Sequence, residues 1–156
     1  MLVDSHCHLD FDSLKEDRAA LFSRARKAGV GTMVTIGTSK SNIEEVKQLA
    51  SDNESVWCTV GIHPHSATSD TCNWEELVRF ADHPKVVGIG ETGLDYYYDH
   101  SSREHQQESF RNHCRAAREC GLPIVVHSRN ADADTARILE EECKVGDLRG
   151  VIHCFS

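Results

Sequence analysis

Two histidines one residue apart, His6 and His8, end a short apolar run at the start of the chain. Alternate side chains of a strand share a face, so both imidazoles point one way and Cys7 points away. Two imidazoles held close together are suited to binding a divalent cation, with Leu2 and Val3 anchoring the strand behind them. A pair of surface histidines is the alternative at this step, because the chain contains 10 histidines.

Later apolar runs also end in residue types that bind metals. They are His63 and His65 after 56–62, Glu91 after 86–90, His127 after 123–126, and His153 after 150–152. Barrel enzymes place reactive groups at the carboxyl ends of their strands, so we expect one shared site rather than scattered histidines. An unpaired buried carboxylate is costly, which favours Glu91 as a ligand bridging two cations over half of a structural ion pair. His127 and His153 are interpreted as further ligands.

Three other residues are candidates for contact with a substrate. His63 and His65 flank Pro64, and we expect the two histidines to contact substrate or support the ligands. The alternative is that Pro64 and its neighbours merely shape a loop. Arg129 lies two residues after His127, and its fork of donors suits a phosphate, with a helix-capping ion pair as the alternative. The three tyrosines at 96–98 are more typical of packing or loop surface than of a platform that stacks bases.

The elements that must position these residues alternate along the chain. Apolar, β-branched runs predict strands at 2–8, 32–37, 56–62, 86–91, 123–127 and 150–154. Helical periodicity predicts five helices, at 14–28, 43–50, 74–83, 102–120 and 133–143, the second capped by Ser41 or Asn42. This alternation predicts an α/β fold with a parallel sheet and helices outside it. The strands start roughly 30 residues apart, so the chain holds about six of the eight βα units of a TIM-type (β/α)8 barrel.

Composition limits the class of protein. The chain has 156 residues, 39% of them hydrophobic and 27% charged, which predicts one globular domain. No apolar run approaches the ~20 residues of a membrane span, and no signal peptide is recognised, so we expect a cytoplasmic protein without a membrane segment. Seven cysteines without a Cys-x-x-Cys pair predict reduced thiols. The net charge of −8 argues against a surface that binds nucleic acid throughout, although bound cations would supply local positive charge.

Five ordered motifs resemble one family. They are HCHLD at 6–10, GIHPH at 61–65, GETGLDY at 90–96, PIVVHSR at 123–129 and HCFS at 153–156. Together they make the chain similar, from end to end, to the TatD family of metal-dependent deoxyribonucleases. The resemblance implies a TIM-barrel hydrolase of the metal-dependent kind with two divalent cations. It also implies that His6 and His8 hold the first cation, that Glu91 bridges, and that His127 and His153 hold the second.

The expected reaction is hydrolysis of the phosphodiester bonds of DNA, with RNA as a further possible substrate. Two cations can activate a bridging water and stabilise the leaving oxygen, and Glu91 is the residue we expect to be catalytic. The chain has no P-loop, dinucleotide fingerprint or Ser-His-Asp arrangement. The ligand set suits Mg, Mn or Zn and does not choose among them.

Two other functions stay open. The first is a metal-dependent hydrolase of small amides, lactones or phosphoesters; those barrels often bridge their metals with a modified lysine where this chain has Glu91. The second is a non-catalytic metal-binding remnant. The TatD family also has an aspartate at the end of a later strand, and this chain stops before it. We therefore expect residues 1–156 to be one C-terminally incomplete domain with unpaired outer strands, whose activity needs a longer polypeptide or a partner segment.

Overall fold

Six parallel strands form one sheet, in the order in which they occur along the chain. The structure is a computed structural model that describes residues 1–98 and 100–154, so Phe155 and Ser156 of the fifth motif lie outside the described residues. The strands are β1 (Leu2–Cys7), β2 (Val30–Thr35), β3 (Val56–Val60), β4 (Val86–Asp95), β5 (Ile124–Arg129) and β6 (Gly150–Ile152). Every neighbouring pair is parallel, which confirms the predicted sheet.

Helices connect the strands, as the alternating pattern predicts. They are α1 (Asp12–Lys15), α2 (Arg18–Lys27), α3 (Lys40–Asp52), α4 (Trp74–Ala81), α5 (Arg103–Cys120) and α6 (Asp132–Val145), and a 3-10 turn spans Pro64–Ser66. The single helix predicted at 14–28 is instead the two helices α1 and α2. The second predicted helix starts earlier than expected, because Ser39 is its N-cap and the Asn42 side chain accepts a hydrogen bond from the Ser39 amide at 3.1 Å.

The longest strand, β4, extends four residues beyond its predicted end at Glu91. Its pairing with β5 continues through Thr92 and Gly93 as far as Asp95, which lies opposite Arg129. Gly93 has φ of +130°, a backbone conformation that glycine adopts at low cost. Glu91 is therefore inside β4, between the positions Ile89 and Thr92 that pair with β5, and not at a free strand end.

Burial decreases from the middle of the sheet to its outer strands. β4 is buried along nearly its whole length, whereas β1 exposes its first four residues and all three residues of β6 are exposed. Leu2 and Val3 are 62% and 59% exposed, so the expectation that they anchor β1 is wrong. The reason is that β1, in the described part of the chain, pairs with β2 alone and no element covers its amino-terminal half.

The main hydrophobic core lies between the sheet and the helices packed against it. Its fully buried members include Ile43 of α3, Leu77 of α4, Ile89 of β4 and Phe110 of α5. The seven cysteines are free thiols, as predicted, with Cys143 and Cys154 exposed and the others buried or half-buried. Among the described residues, no helix is long and apolar enough to cross a membrane.

Candidate metal centre

Glu91 lies at the centre of the candidate site. Its side chain is only 4% exposed, and its amide donates a hydrogen bond to the Gly37 carbonyl at 2.9 Å, which fixes the backbone. The two carboxylate oxygens face different groups of histidines. Oε2 lies 3.3 Å from His6 Nε2, and Oε1 lies 3.1 Å from His127 Nδ1. One buried carboxylate thus joins the first strand of the sheet to the fifth.

The first group consists of His6, His8 and Glu91. One potential ligand atom from each residue lies within 4.8 Å of the other two, a spacing that can hold a metal ion. His6 Nε2 and His8 Nδ1 are buried, and neither has a hydrogen-bond partner among the described residues. Buried polar atoms are normally satisfied, so two such nitrogens beside one carboxylate fit the requirements of a cation. Cys7 points the other way, as predicted, and its thiol lies 3.3 Å from the Val34 carbonyl.

The second group consists of His63, Glu91 and His127, again with ligand atoms within 4.8 Å of one another. His63 Nε2 lies 3.8 Å from Glu91 Oε1. The other nitrogen of His63, Nδ1, accepts a hydrogen bond from the His65 amide at 3.2 Å. A neutral imidazole with Nδ1 as acceptor carries its proton on Nε2, so in this conformation His63 offers a donor to the site and not a lone pair.

His153 also reaches the cluster, but from a different side than its predicted partner His127. Its ring stacks on His6 with 3.5 Å between the centroids and 9° between the planes. Its amide donates to the Val126 carbonyl at 2.8 Å, which ties the end of β6 to β5. The predicted set of five, His6, His8, Glu91, His127 and His153, is therefore brought together. The roles of these residues as ligands stay predictions.

Asp95 is a residue of this site that the sequence analysis did not select. It ends β4, is 1% exposed, and its Oδ2 lies 2.8 Å from His65 Nε2 and 3.1 Å from His127 Nε2. A carboxylate that accepts from one ring nitrogen fixes the tautomer and leaves the other nitrogen free to bind a cation. For His127 the other nitrogen is Nδ1, which lies 3.1 Å from Glu91 Oε1. The pattern that could have revealed Asp95 is its position four residues after Glu91 in a run without another charge.

The other two predicted substrate contacts lie at the edge of the cluster. His65 is held by Asp95, and its side chain is 33% exposed. Arg129 is exposed at the end of β5, with its guanidinium carbon 4.1 Å from the ring centre of Tyr97. Both therefore lie beside the metal groups and not among them. Whether they bind a substrate stays a prediction.

The electrostatics favour an ionised carboxylate at the centre. Burial acts to raise the pKa of Glu91, but the close contacts with the His127 and His6 imidazoles outweigh it and hold that pKa well below its usual range. Burial lowers the pKa of His63 to about 4, so this imidazole is neutral at pH 7. For His127 burial has the same sign, yet contact with Glu91 and Asp95 outweighs it and raises the pKa. A negative Glu91 among several imidazoles is the charge state that binds cations.

A buried histidine outside the cluster holds the His63 loop in place. His113 on α5 is completely buried, and its Nε2 accepts a hydrogen bond from the Ile62 amide at 2.9 Å. Its Nδ1 donates to the Ser109 carbonyl at 2.7 Å, so the ring is neutral with one fixed tautomer. The amide of His63 donates to the Thr38 carbonyl at 2.8 Å. The backbone entering the site is thus fixed from two sides.

Comparison with known families and proteins agrees with this geometry. The family model described as TatD related DNase matches residues 3–156. The chain is 40% identical over 158 residues to an uncharacterized metal-dependent hydrolase, YcfH, of Escherichia coli strain K12, covering 99% of this chain and 59% of that protein. It is 32% identical to a protein of Shigella flexneri named 3'-5' ssDNA/RNA exonuclease TatD, covering 99% of this chain and 60% of the other.

Solved structures resemble the fold closely. A structure of YjjV, a TatD homolog from Escherichia coli K12, matches with a TM-score of 0.89 and 32% identity, covering 99% of this chain and 60% of that one. A TatD family hydrolase from Entamoeba histolytica matches with a TM-score of 0.88, covering 99% and 58%. The six parallel strands with their helices therefore correspond to part of a TIM-type barrel, as predicted. The chain spans about three fifths of the length of the curated relatives and structures it matches.

Proposed function

Since this chain belongs to the TatD-related DNase family, we propose that it is a divalent-metal-dependent hydrolase that cleaves the phosphodiester bonds of nucleic acid. The observation that carries the proposal is the position of Glu91, whose two oxygens face two separate histidine groups. A carboxylate shared between two groups of nitrogen ligands is suited to bridging a pair of cations. If Glu91 served only in a structural ion pair, it would need one histidine partner. That role would not explain why ring nitrogens of His6 and His8 are buried without hydrogen bonds.

The proposed ligands are those the sequence predicts, with Asp95 added behind them. His6 and His8 would hold a first cation, His127 and His153 would hold a second, and Glu91 would serve both. Asp95 orients the His127 ring so that Nδ1 faces the carboxylate. When bound, divalent cations of the Mg, Mn or Zn class polarise a phosphodiester and activate water for hydrolysis.

The remaining polar groups act on the substrate. His63 carries a proton on Nε2 and donates it as a hydrogen bond to a phosphate oxygen held near Glu91. His65 and Arg129 lie at the exposed side of the cluster and are proposed to contact the sugar–phosphate chain. Asp95 contacts both His65 and the proposed ligand His127, so one carboxylate links the substrate side of the site to the ligand side.

DNA is the proposed substrate, with RNA as a further one. The exonuclease named among the relatives supports both, and a net charge of −8 is compatible with binding at one cation-rich site. We also propose that residues 1–156 form a single domain of this enzyme and that it works in the cytoplasm. The two-cation mechanism is part of the same proposal, and the position of Glu91 between two histidine groups supports it.

The test combines metal binding with cleavage. The chain and a form extended to the length of its relatives, each stripped of metal with a chelator, are titrated with Mn²⁺ by calorimetry, and a 5'-labelled single-stranded DNA is then incubated with each form and Mn²⁺, Mg²⁺ or Zn²⁺. We expect two cations per chain and metal-dependent shortening of the strand in the extended form; equal cleavage by residues 1–156 alone would contradict the expectation that activity needs a longer polypeptide. Glu91→Gln should lower the rate by at least about 100-fold, because the carboxylate serves both groups.

Glu108→Gln is the matched control, since Glu108 is an exposed carboxylate on α5. This variant should bind metal and cleave DNA as the parent chain does. Equal cleavage by Glu91→Gln with metal in excess would refute the bridging role. Strand shortening that persists in chelator would refute the metal-dependent reaction itself.

A further inference from the structure

Two exposed aromatic side chains lie next to the candidate metal centre. Tyr97 and Tyr98 are the second and third residues after β4 and are 57% and 48% exposed. Tyr96, the first of the three consecutive tyrosines, is different, because its hydroxyl donates to Asp134 at 2.8 Å and its ring is half-buried. The tyrosine run therefore divides into one residue that packs and two largely exposed ones, of which Tyr98 also stacks on His100 with 5.7 Å between the ring centres. Two adjacent, largely exposed rings form an apolar surface that a ligand can contact.

Asp95 connects these two tyrosines to the metal centre. Its Oδ1 accepts hydrogen bonds from the amides of Tyr97 and Tyr98, at 3.0 and 3.1 Å. Its Oδ2 contacts His127, one of the proposed ligands. The buried side chain of Gln106 accepts from the Asp95 amide at 2.7 Å and donates to its carbonyl, which keeps the turn rigid. Asp95 therefore fixes the backbone of both tyrosines and also contacts the metal centre, where a phosphate would bind.

A single cationic side chain lies over both rings. The guanidinium carbon of Arg129 is 4.1 Å from the ring centre of Tyr97 and 4.6 Å from that of Tyr98. Arg129 and His127 are two residues apart on β5, so they lie on the same face of the strand. A planar cation over two aromatic rings, with the metal centre beside it, combines stacking surface with hydrogen-bond donors for an anionic chain.

We propose that Tyr97, Tyr98 and Arg129 form a subsite that stacks an unpaired base of single-stranded nucleic acid, adjacent to the phosphate at the metal centre. This inference rests on the proposed function, since it names how the same site holds its substrate. A chain with a net charge of −8 has little backbone electrostatic attraction for a polyanion, so stacking must supply much of the affinity. Stacking on a ring face accepts every base, so the subsite selects unpaired strands and not a sequence.

Binding without turnover tests the subsite. Fluorescein-labelled oligothymidylate is titrated with the chain in excess chelator and followed by anisotropy, alongside a strand of equal length that lacks its bases. We expect the abasic strand to bind about 10-fold more weakly than the intact one, the usual scale for one stacked base. Tyr98→Ala should weaken binding of the intact strand by a similar factor and leave the abasic strand unaffected, while Tyr98→Phe should bind as the parent does.

Arg115→Ala is the matched control, because Arg115 lies 3.9 Å over Trp74, away from the carboxyl ends of the strands. Arg115→Ala should leave the affinity for both strands unchanged. Arg129→Ala should lower the slope of log affinity against log salt concentration by about 0.7, which corresponds to the loss of one phosphate contact. Equal affinity for intact and abasic strands, no effect of Tyr98→Ala, or no measurable binding at all would overturn the subsite. Base-dependent binding without metal-dependent cleavage would instead overturn the proposed reaction and leave the subsite in place.

Discussion

The candidate site takes residues from the middle of the sheet, which is buried, and from its two outer strands, which are exposed. β4 carries Glu91 and is buried almost throughout, whereas β1 and β6 bring His6 and His153 from strands that expose apolar side chains to solvent. A change in β4 must disturb closely packed neighbours on both sides. A change at an outer strand removes a ligand and little else. The difference teaches that stability and metal affinity can be altered separately in this chain.

The largest expected effect is on folding, from a substitution in the middle of the sheet. A methyl group added by Gly93→Ala would overlap the carbonyl oxygen of His127, and Gly93 has φ of +130°. Overpacking and backbone strain together should destabilise the chain by about 3–5 kcal/mol. Urea denaturation followed by circular dichroism would measure this loss.

Gly29→Ala provides the control for that substitution. Gly29 precedes β2 with φ of +87°, and nothing lies within 4 Å of an added methyl group. Backbone strain alone should cost about 1 kcal/mol there. If the two variants lose equal stability, the middle of the sheet is no more closely packed than its periphery, and the comparison fails.

The sequence predicts the local parts of this arrangement well. Six apolar runs and the ligand-type residues after them identify the strands and the cluster. This works because the burial of a strand and the point where it ends both depend on residues that are adjacent in the sequence. The extension of β4 to Asp95 is not visible, since Thr92-Gly93-Leu94 resembles a turn and becomes a strand only through its pairing with β5. The partnership of Asp95 with His127, and the exposure of Leu2 and Val3, likewise depend on which strands become neighbours.

The second expected effect is a dependence of stability on pH, which comes from His113 behind the His63 loop. Burial lowers its pKa to about 4 from an ordinary value of 6.5, so the unfolded chain binds more protons between those values. Stability is therefore complete above pH 6.5 and decreases as the pH falls toward 4. We expect roughly 2 kcal/mol to be lost between pH 7 and pH 5, measured by urea denaturation at each pH.

His113→Gln isolates that contribution from the other histidines. A glutamine can accept from the Ile62 amide through its side-chain oxygen but cannot titrate. The variant should lose some stability at pH 7 and show a flatter pH dependence than the parent. Parallel curves for the two proteins would show that His113 is not the residue responsible.

The third expected effect concerns metal affinity at an outer strand. His153→Ala removes one proposed ligand from the end of β6, and we expect Mn²⁺ affinity to fall by about 10-fold while Glu91→Gln lowers it by about 100-fold. Unfolding midpoints in chelator should stay close to the parent for His153→Ala, because the ring contacts His6 rather than the core. Calorimetric titration of both variants checks the ranking, and an equal loss for both would contradict the central position of Glu91.

The smallest expected effect compares the same substitution in the middle and at the edge of the sheet. Ile89 of β4 is completely buried, and Ile152 of β6 is 41% exposed. Ile89→Val deletes a methylene from a packed core and should cost about 1 kcal/mol, whereas Ile152→Val should cost less than about 0.5 kcal/mol because solvent already contacts that side chain. For a chain of this length the first change corresponds to a fall of about 2–4 °C in melting temperature, within reach of calorimetry. A loss at Ile152 as large as that at Ile89 would mean that β6 is packed in solution as tightly as β4, and the contrast between the centre and the edges of the sheet would then be wrong.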